Sequence, residues 1–374
     1  MASSRRGFLK ILGMSAAAGM SAESAPVASA AGSGGPIRLD NNESAYGPSA
    51  KVVEAIRVAE AESGRFPSGA GAFQLADQIA EFHNVSPDQV VLGAGSTEIL
   101  RMASCAFLGA GKQLVQASPT FPALEFYARS TGATVTSDPL TSRLHHDLDA
   151  MLTHSGASTG LVYICNPNNP TASITPRAEL EKFISRLPSS CCILIDEAYH
   201  HYAGRSGAYA SFLDQPLNDP RIIVSRTFSH IYGLAGLRVG YGIASVETAT
   251  RMRAFGTVNA VSTLAIRAAI AALDDTASLR EFIKKNTDAR QEFVNAAFAH
   301  NFKQRESHTN FFAVDTFNPA TMVIQHFRAN NILIAPVSLS WDTWIRVSLG
   351  RPEEMNAFWR TWDTLPIDKS TIRH

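Results

Sequence analysis

The chain has 374 residues, of which 45% are hydrophobic and 18% are charged. A chain of this length and composition can bury a large hydrophobic core, in one large domain or in two moderate ones. Its 33 basic residues balance its 33 acidic residues, so charge gives no reason to expect binding to nucleic acid or to a membrane surface. A small molecule is the expected partner.

The N-terminus has the pattern of an export signal. Paired arginines lie within Ser4 to Lys10, a weakly apolar run follows over Ile11 to Met20, and Ala28 to Ala30 is a small-residue cleavage site. This arrangement is typical of a signal peptide, and the arginine pair is typical of the twin-arginine pathway. The run is shorter than the roughly 20 residues of a membrane span. We predict a signal peptide over 1–30 and a periplasmic or secreted protein; an ordinary basic segment is the alternative.

From Ile37 onward, short apolar runs alternate with longer amphipathic stretches. Continuous β-branched runs predict strands covered on both faces, and the intervening helices predict an open, mostly parallel α/β sheet flanked by helices. In such sheets, ligands bind beyond the carboxyl ends of the strands. The apolar runs lie at 90–92, 113–115, 161–164, 193–195 and 222–224, and helical patterns lie at 98–107, 121–130 and 176–187.

The pattern changes after about Ala260. A long helical region over 262–299 precedes three alternating segments and a closing helix that begins at Pro352, which predicts a smaller α+β domain. We predict a linker, an N-terminal arm and the start of the small domain over 31–60, a large domain over 61–260, and a small C-terminal domain over 261–374.

Polar and glycine-rich segments follow several of the predicted strands. Gly93 to Glu98 opens a helix, where exposed N–H groups can bind an anion; an ordinary turn with Ser96 or Thr97 as N-cap is an equal alternative. Asp196 ends a strand, and alone it would be read as a helix N-cap. The stretch Arg226 to Tyr241 combines two hydroxyls, a histidine, two arginines and three glycines, a combination that no common structural cap uses.

The cysteines and the paired histidines form no metal-binding pattern. The cysteines lie in or beside apolar runs without a C-x-x-C spacing, which indicates buried structural thiols. His145-His146 and His200-His201 lack a recognisable set of neighbouring ligands, and we expect surface or packing roles for them. The cysteines are Cys105, Cys165, Cys191 and Cys192.

In order and spacing, these segments resemble the class I/II aminotransferases, fold type I of the pyridoxal-phosphate enzymes, and especially the histidinol-phosphate aminotransferase branch. Leu39 to Pro48, Asn166 to Thr171, Ser307 to Phe311 and Trp344 to Ser348 also match, and the resemblance covers residues 37–365. It implies a large cofactor-binding domain, a smaller α+β domain and a homodimer with shared active sites.

The resemblance also implies roles for individual residues. Asp196 would pair with the cofactor's ring nitrogen, and Asn169 and Tyr199 would hydrogen-bond its 3′ oxygen. Tyr46 would reach a neighbouring subunit's phosphate, and Arg346 would bind the substrate's α-carboxylate through its planar fork. The remaining assignments are stacking on the ring by Phe121 and donation to the phosphate by Ser96, Thr97, Thr227, Ser229 and Arg238.

Three positions depart from the family pattern. His230 stands where the family has its Schiff-base lysine, and imidazole has no primary amine with which to form that covalent link. Ala172 replaces a glycine, a change that we expect to be mild if its φ is negative. Ala335 replaces an arginine that binds the substrate phosphate in the histidinol-phosphate branch, which argues against that substrate.

These features favour a protein that binds pyridoxal or pyridoxamine 5′-phosphate non-covalently. We predict an atypical transferase of the transaminase family that acts on an amino acid or a related amine or keto compound, with His230 as a possible base and Tyr199 as a second catalytic residue. A pyridoxamine-phosphate-dependent dehydratase, a non-catalytic cofactor or ligand binder, and a plain aminotransferase with an incidental substitution are the alternatives.

Overall fold

The computed structural model describes residues 35–67, 69–204, 206–300, 304–338 and 340–366. The predicted signal peptide and the first residues of the predicted linker lie outside these ranges. Contacts divide the chain into two compact units. The large unit is Glu43–Asp288 with Glu306–Asn310, and the small unit is the described part of Met1–Asn42, Ala289–Arg305 and Phe311–His374.

The described residues form twelve strands and twelve α-helices. No helix among them is long and apolar enough to cross a membrane. In chain order they are β1 (Ile37–Arg38), α1 (Ala50–Ala59), α2 (Gly69–His83), β2 (Val90–Gly93), α3 (Ser96–Phe107), β3 (Gln113–Ser118), α4 (Ala123–Ser130), β4 (Thr134–Pro139), α5 (Leu148–His154), β5 (Thr159–Cys165), α6 (Arg177–Arg186), β6 (Cys192–Asp196), α7 (His200–Ala203), β7 (Ile222–Thr227), β8 (Gly240–Ile243), α8 (Val246–Arg253), α9 (Thr263–Asp274), α10 (Thr276–Ala299), β9 (Phe311–Asp315), α11 (Ala320–Ala329), β10 (Ile332–Leu333), β11 (Ala335–Ser338), β12 (Trp341–Ser348) and α12 (Pro352–Asp363).

A seven-stranded sheet forms the centre of the large unit. Its order is β2-β8-β7-β6-β5-β3-β4, and every neighbouring pair is parallel except the two that β8 forms. All seven residues of β5 are buried, as expected of a strand covered on both faces. Helix α6 packs Leu180, Phe183 and Ile184 into a core with Val162 and Ile193 of the sheet. The predicted fold class, a mostly parallel sheet flanked by helices, is confirmed.

The small unit has two short sheets. Strands β11, β12 and β9 form an antiparallel sheet, and β1 pairs in parallel with β10. Phe312 and Val347 of the antiparallel sheet pack with Phe327 of α11 and Trp362 of α12 in one core. The predicted α+β character of this part of the chain agrees with these elements.

The division into units differs from the predicted domain boundaries. It falls within α10, between Asp288 and Ala289, and not after residue 260. Helix α9 packs against α1 and α2 of the large unit, and Phe282 of α10 stacks on Tyr46. A change from sheet to helix in the sequence therefore does not mark the boundary, because these helices cover the large unit.

Candidate active site

The predicted cofactor-binding residues follow the carboxyl ends of neighbouring strands in the large unit. Because β3, β5, β6 and β7 run parallel, their carboxyl ends meet at one edge of the sheet, where ligands bind in this class of fold. The residues at this edge are Phe121 after β3, Asn169 after β5, Asp196 and Tyr199 at and after β6, and Thr227, Ser229 and His230 at and after β7.

Asp196 is a carboxylate buried at the end of β6, with 2% of its surface exposed. The Tyr163 hydroxyl donates to its Oδ2 at 2.9 Å, and the Ser225 hydroxyl donates to its Oδ1 at 2.9 Å. The Ala198 N–H also donates to Oδ1, at 3.2 Å. Burial raises the pKa of Asp196 above its ordinary value although these donors oppose the rise. The N-cap alternative is excluded, since α7 begins later, with Tyr199 as its N-cap.

Asn169, Tyr199 and His230 form a second group. The Asn169 amide donates to the Tyr199 oxygen at 3.4 Å. The rings of Tyr199 and His230 stack with centroids 4.4 Å apart and planes 19° apart. Tyr199 is buried, whereas His230 is partly exposed. An imidazole therefore lies directly against the phenol that the resemblance assigns to the cofactor's 3′ oxygen.

Phe121 follows a segment that is tied to the loop after β5. The Thr120 hydroxyl donates to Asn168 Oδ1 at 2.8 Å, and the Asn168 amide donates to the Pro119 carbonyl at 3.0 Å. These bonds hold the two loops that carry Phe121 and Asn169. The half-buried Phe121 thus belongs to a loop that is hydrogen-bonded to the loop carrying Asn169.

Arg238 lies at the amino end of α3. A Cβ added at Gly95 would lie 2.2 Å from Arg238 Nη2, so the guanidinium occupies the space that a side chain would need. Gly95 and Arg238 both have positive φ, 78° and 55°. The partial positive charge of a helix N-terminus and a guanidinium together suit a phosphate.

The hydroxyls of Thr227 and Ser229 extend this region. The Thr227 hydroxyl donates to Ser229 Oγ at 3.0 Å, and Arg238 Nη1 donates to the same oxygen at 3.2 Å. Thr227, Ser229 and Arg238, three of the five predicted phosphate donors, are thus linked directly.

Ser96 and Thr97 begin α3 and do not cap it. The N-cap is Gly95, which has no capping side chain. Instead, the Ala94 N–H donates to the Glu98 carboxylate at 2.6 Å, and the Thr257 N–H does so at 3.2 Å. Although burial opposes the charge, these donors hold the pKa of Glu98 below its ordinary value. The alternative in which Ser96 or Thr97 serves as the cap is therefore wrong.

Ala172 is strained. Its φ is +61° and its side chain is fully buried, so the condition for a mild replacement of glycine is not met. A left-handed backbone costs a non-glycine residue about 1–2 kcal/mol. The Ala172 carbonyl accepts the His308 N–H at 2.9 Å, which holds the loop in this conformation.

The partly exposed Tyr46 packs against α10 in the large unit. Its ring stacks on Phe282 at 6.3 Å, and the Lys285 ammonium lies 4.6 Å from its centroid. A Cβ at Gly233 would lie 2.2 Å from the Gly47 carbonyl carbon, so the Tyr46 segment packs closely on the loop that carries His230. The role of Tyr46 toward a partner's phosphate stays a prediction.

Arg346 belongs to the small unit. Its Nη2 donates to the Asp40 carbonyl at 2.7 Å, and its guanidinium lies 5.7 Å from the Phe311 ring. Ala335 is its cross-strand neighbour in β11, and Ala313 is its neighbour in β9. Both alanines are buried, so small side chains flank Arg346 on either side. Its role in binding a substrate carboxylate stays a prediction.

Sequence reasoning missed several polar residues. Tyr163 lies in an apolar run and was read as core, and Ser225 lies within β7. Arg226 and Glu197 form a buried ion pair at 2.8 Å, and Arg226 also donates to Ser211. A hydroxyl within an aliphatic parallel strand was the available signal for Tyr163, but its partner depends on strand register.

Of the four cysteines, Cys165 and Cys191 are buried, whereas Cys105 and Cys192 are only partly buried. No group of three or more potential metal ligands occurs among the described residues, and all four cysteines are free thiols. His201 accepts or donates a hydrogen bond with the Tyr232 hydroxyl at 3.3 Å. Burial lowers the pKa of His200 and His201 well below the ordinary histidine value.

The arrangement would suit an aromatic ring that carries a charged nitrogen and a phosphate. A buried carboxylate, an amide–phenol pair, an aromatic ring and a cationic anion site lie along one sheet edge, in an order that suits pyridoxal phosphate. The fold and this edge together define the architecture of fold type I pyridoxal-phosphate enzymes.

Comparison with known proteins gives the family. The model of aminotransferase class I and II matches residues 35–360, so the chain belongs to this family of pyridoxal-phosphate-dependent enzymes. Histidinol-phosphate aminotransferase 2 of Methylococcus capsulatus is 35% identical over 337 residues, which cover 88% of this chain and 90% of that protein. Histidinol-phosphate aminotransferase 2 of Carboxydothermus hydrogenoformans is 33% identical over 322 residues, which cover 86% and 88%.

A solved structure supports the same relationship. Histidinol-phosphate aminotransferase from Sinorhizobium meliloti, solved in complex with pyridoxal-5′-phosphate, superposes with a TM-score of 0.82 at 28% identity. The match covers 88% of this chain and 90% of that one. The fold type I aminotransferase architecture is confirmed.

Proposed function

We propose that this protein holds pyridoxal or pyridoxamine 5′-phosphate without a covalent bond and acts on an amino acid or a related amine or keto compound, with His230 as the base. The observation that carries the proposal is the stacked pair of Tyr199 and His230, 4.4 Å apart, with Asn169 bonded to the phenol. Family spacing puts the Schiff-base lysine at His230, and no lysine occurs between Arg226 and Tyr241.

The chain's own residues suit each part of the cofactor. When bound, the cofactor supplies an electron sink for negative charge that develops on the substrate. Asp196 would hold the ring nitrogen, Asn169 and Tyr199 the 3′ oxygen, and Phe121 the face of the ring. The phosphate would be held by the α3 N-terminus and its neighbours, namely Ser96, Thr97, Thr227, Ser229 and Arg238.

His230 would move a proton at the cofactor's C4′ atom. An imidazole is well suited to proton transfer near neutral pH, but it cannot form the covalent link of a primary amine. Stacking on Tyr199 orients its ring. Since the chain offers no primary amine at this position, the substrate would have to react with a free cofactor aldehyde, and ordinary transamination would be slow.

The substrate would be a carboxylate without a phosphate-bearing side chain. Arg346 presents a planar fork of the kind that binds carboxylates. Beside it in the sheet, Ala335 supplies a buried methyl group and no charge for a phosphate. Both features favour a free amino acid over histidinol phosphate.

An absorbance spectrum of the purified protein, with and without borohydride, tests the proposal. We expect a bound chromophore near neutral pH that borohydride does not attach to the chain. His230→Ala should retain the chromophore and lose any substrate conversion that the wild type shows. A colourless protein that ignores added pyridoxal phosphate, or a chromophore fixed to the chain, would contradict the proposal; binding without turnover would favour the non-catalytic binder.

We infer that the protein assembles as a homodimer, as family members typically do. Large apolar side chains are exposed on the large unit, notably Phe66 at 85%, Val258 at 86% and Phe73 at 70%, and an interface between subunits would bury them. Sedimentation should give a dimer for the wild type and a monomer for Phe66→Asp. A wild-type monomer would contradict the inference.

We also infer export by the twin-arginine pathway. The inference is supported by Arg5-Arg6 before Gly7-Phe8-Leu9 and the following apolar run, which lie outside the described residues. Replacement of both arginines by lysine should leave the precursor in the cytoplasm. Unchanged export of that variant would contradict the inference.

A further inference from the structure

The Asp196 carboxylate has most of its acceptor positions filled by the chain. Its Oδ1 accepts two donors, the Ser225 hydroxyl and the Ala198 N–H. Its Oδ2 accepts one donor, the Tyr163 hydroxyl. Each carboxylate oxygen offers about two lone-pair positions. Among the described residues, the acceptor position that remains is therefore on Oδ2, the oxygen bonded to Tyr163.

The donors of Asp196 are neutral. Two are hydroxyls and one is a backbone N–H, and the neighbouring Glu197 raises the pKa of Asp196 further as a like charge. A buried carboxylate needs hydrogen bonds and a cation to stay ionised. The remaining position on Oδ2 thus suits a single N–H donor that carries positive charge, such as a protonated aromatic nitrogen.

We propose that Tyr163 is a positioning residue that holds Asp196 Oδ2 for the N–H group of the bound cofactor's ring, while Ser225 holds Oδ1. This inference rests on the proposed function, because it requires the ring to bind at Asp196. Tyr163 is fully buried in β5, and its cross-strand partner in β6 is Leu194. Asp196 lies two residues beyond Leu194 and pairs with Cys165, so Tyr163 and Asp196 project from the same face of the sheet, where the hydroxyl meets the carboxylate.

The protonation of the surroundings supports this role. Burial, and then the charge of Asp196, raises the pKa of Tyr163 well above its ordinary value, so the phenol stays a donor. Burial likewise raises the pKa of the neighbouring Cys165 thiol. Both the phenol and the thiol therefore stay neutral and do not add a second negative charge beside Asp196.

The test compares two probes, pyridoxal 5′-phosphate and its 1-deaza analogue, in which a ring C–H replaces the nitrogen. Both bind without a covalent step if the proposed function holds, so equilibrium titration gives their dissociation constants directly. For Tyr163→Phe we expect pyridoxal phosphate to bind about tenfold more weakly, since a hydrogen bond to a charged group is lost. The deaza analogue, which does not use Oδ2 in this way, should bind as it does to the wild type.

Tyr209→Phe is the matched control, because the buried Tyr209 hydroxyl has no hydrogen-bond partner in the described chain. It should change neither affinity. Ser225→Ala should also weaken pyridoxal phosphate selectively, and it carries the comparison if Tyr163→Phe does not fold. Equal weakening of both probes, or of neither, would overturn the role of Tyr163 and leave the proposed function standing. If the wild type bound neither probe, both the role of Tyr163 and the proposed function would be overturned.

Discussion

His230 faces the phenol ring of Tyr199 at stacking distance, and we propose that it occupies the position of the family's Schiff-base lysine. We expect His230→Lys to bind pyridoxal phosphate covalently, so that borohydride fixes it to the chain with a matching mass increase. Transamination of common amino acids should rise about a hundredfold or more, since a nucleophile and proton carrier is restored. His230→Ala is the control and should show neither change. No fixation in His230→Lys would mean that the histidine is not at the lysine position.

Ala172 holds a left-handed backbone with its methyl group fully buried. In Ala172→Gly, relief of about 1–2 kcal/mol of strain opposes about 0.8 kcal/mol of lost burial and about 0.4–1 kcal/mol of unfolded-state entropy. We expect its free energy of unfolding in urea to lie within about 1 kcal/mol of the wild-type value.

Ala268→Gly is the control for that comparison. Ala268 is equally buried but lies in α9, where φ is negative. Ala268→Gly removes a buried methyl group and raises the entropy of the unfolded chain without relieving strain. It should lower the free energy of unfolding by roughly 1.5–2 kcal/mol. Equal losses in the two variants would show that Ala172 carries no strain.

At the scale of elements, the turn from β2 into α3 shapes the phosphate region. In Gly95→Ala, the new Cβ would lie 2.2 Å from Arg238 Nη2, so the guanidinium must move away from the helix N-terminus. We expect pyridoxal phosphate to bind roughly tenfold more weakly while the affinity for pyridoxal, which has no phosphate, changes little. Titration with both compounds measures the difference.

Gly111→Ala controls for backbone strain. Gly111 has the same φ of +78°, and a Cβ there would meet nothing within 4 Å. Its strain should lower stability without changing either affinity. If Gly111→Ala weakened phosphate binding as much as Gly95→Ala, displacement of Arg238 would not be the cause.

Much of the element order could be predicted from local pattern. The runs at 161–164 and 193–195 became β5 and β6 because continuous apolar β-branched segments suit a sheet covered on both faces. The end of the large unit could not be predicted in this way. Helical periodicity shows which face of α10 is apolar, but it does not show which unit each turn packs against.

Some parts of the candidate site could be predicted from the sequence, and others could not. The roles of Asp196, Asn169 and Tyr199 followed from the family resemblance, and the sheet places these residues at one edge. The Tyr163–Asp196 bond joins residues 33 positions apart and depends on a register that only the packed sheet sets. The sign of φ at Ala172 was likewise beyond the sequence, because alanine rarely adopts a left-handed backbone.

At the scale of the whole molecule, buried histidines link stability to pH. Burial lowers the pKa of His146 to about 4, and burial with the charge of Arg226 lowers that of His83 to about 3. In the unfolded chain, a histidine has its ordinary pKa of about 6.5. Each group therefore contributes stability above pH of about 6.5, and this is lost as pH falls toward the folded-state value.

We expect the free energy of unfolding to fall as the pH is lowered from 6.5 to 4.5, with His146 contributing about 1.4 kcal/mol per pH unit. Its Nδ1 lies 2.7 Å from Thr175 Oγ1, and its Nε2 is buried without a partner in the described chain. His146→Gln should reduce the slope by that amount, whatever its effect at neutral pH. Urea titrations at several pH values measure it, and an unchanged slope would contradict the assignment.

The adjacent acids Asp196 and Glu197 have different kinds of partner in the fold. Glu197 has a resident counterion in Arg226, whereas Asp196 is surrounded by uncharged donors. A proton and a cationic ligand therefore compete for the same oxygen. Because burial raises the pKa of Asp196, binding of the cation should oppose protonation of this carboxylate, and acid should weaken the binding.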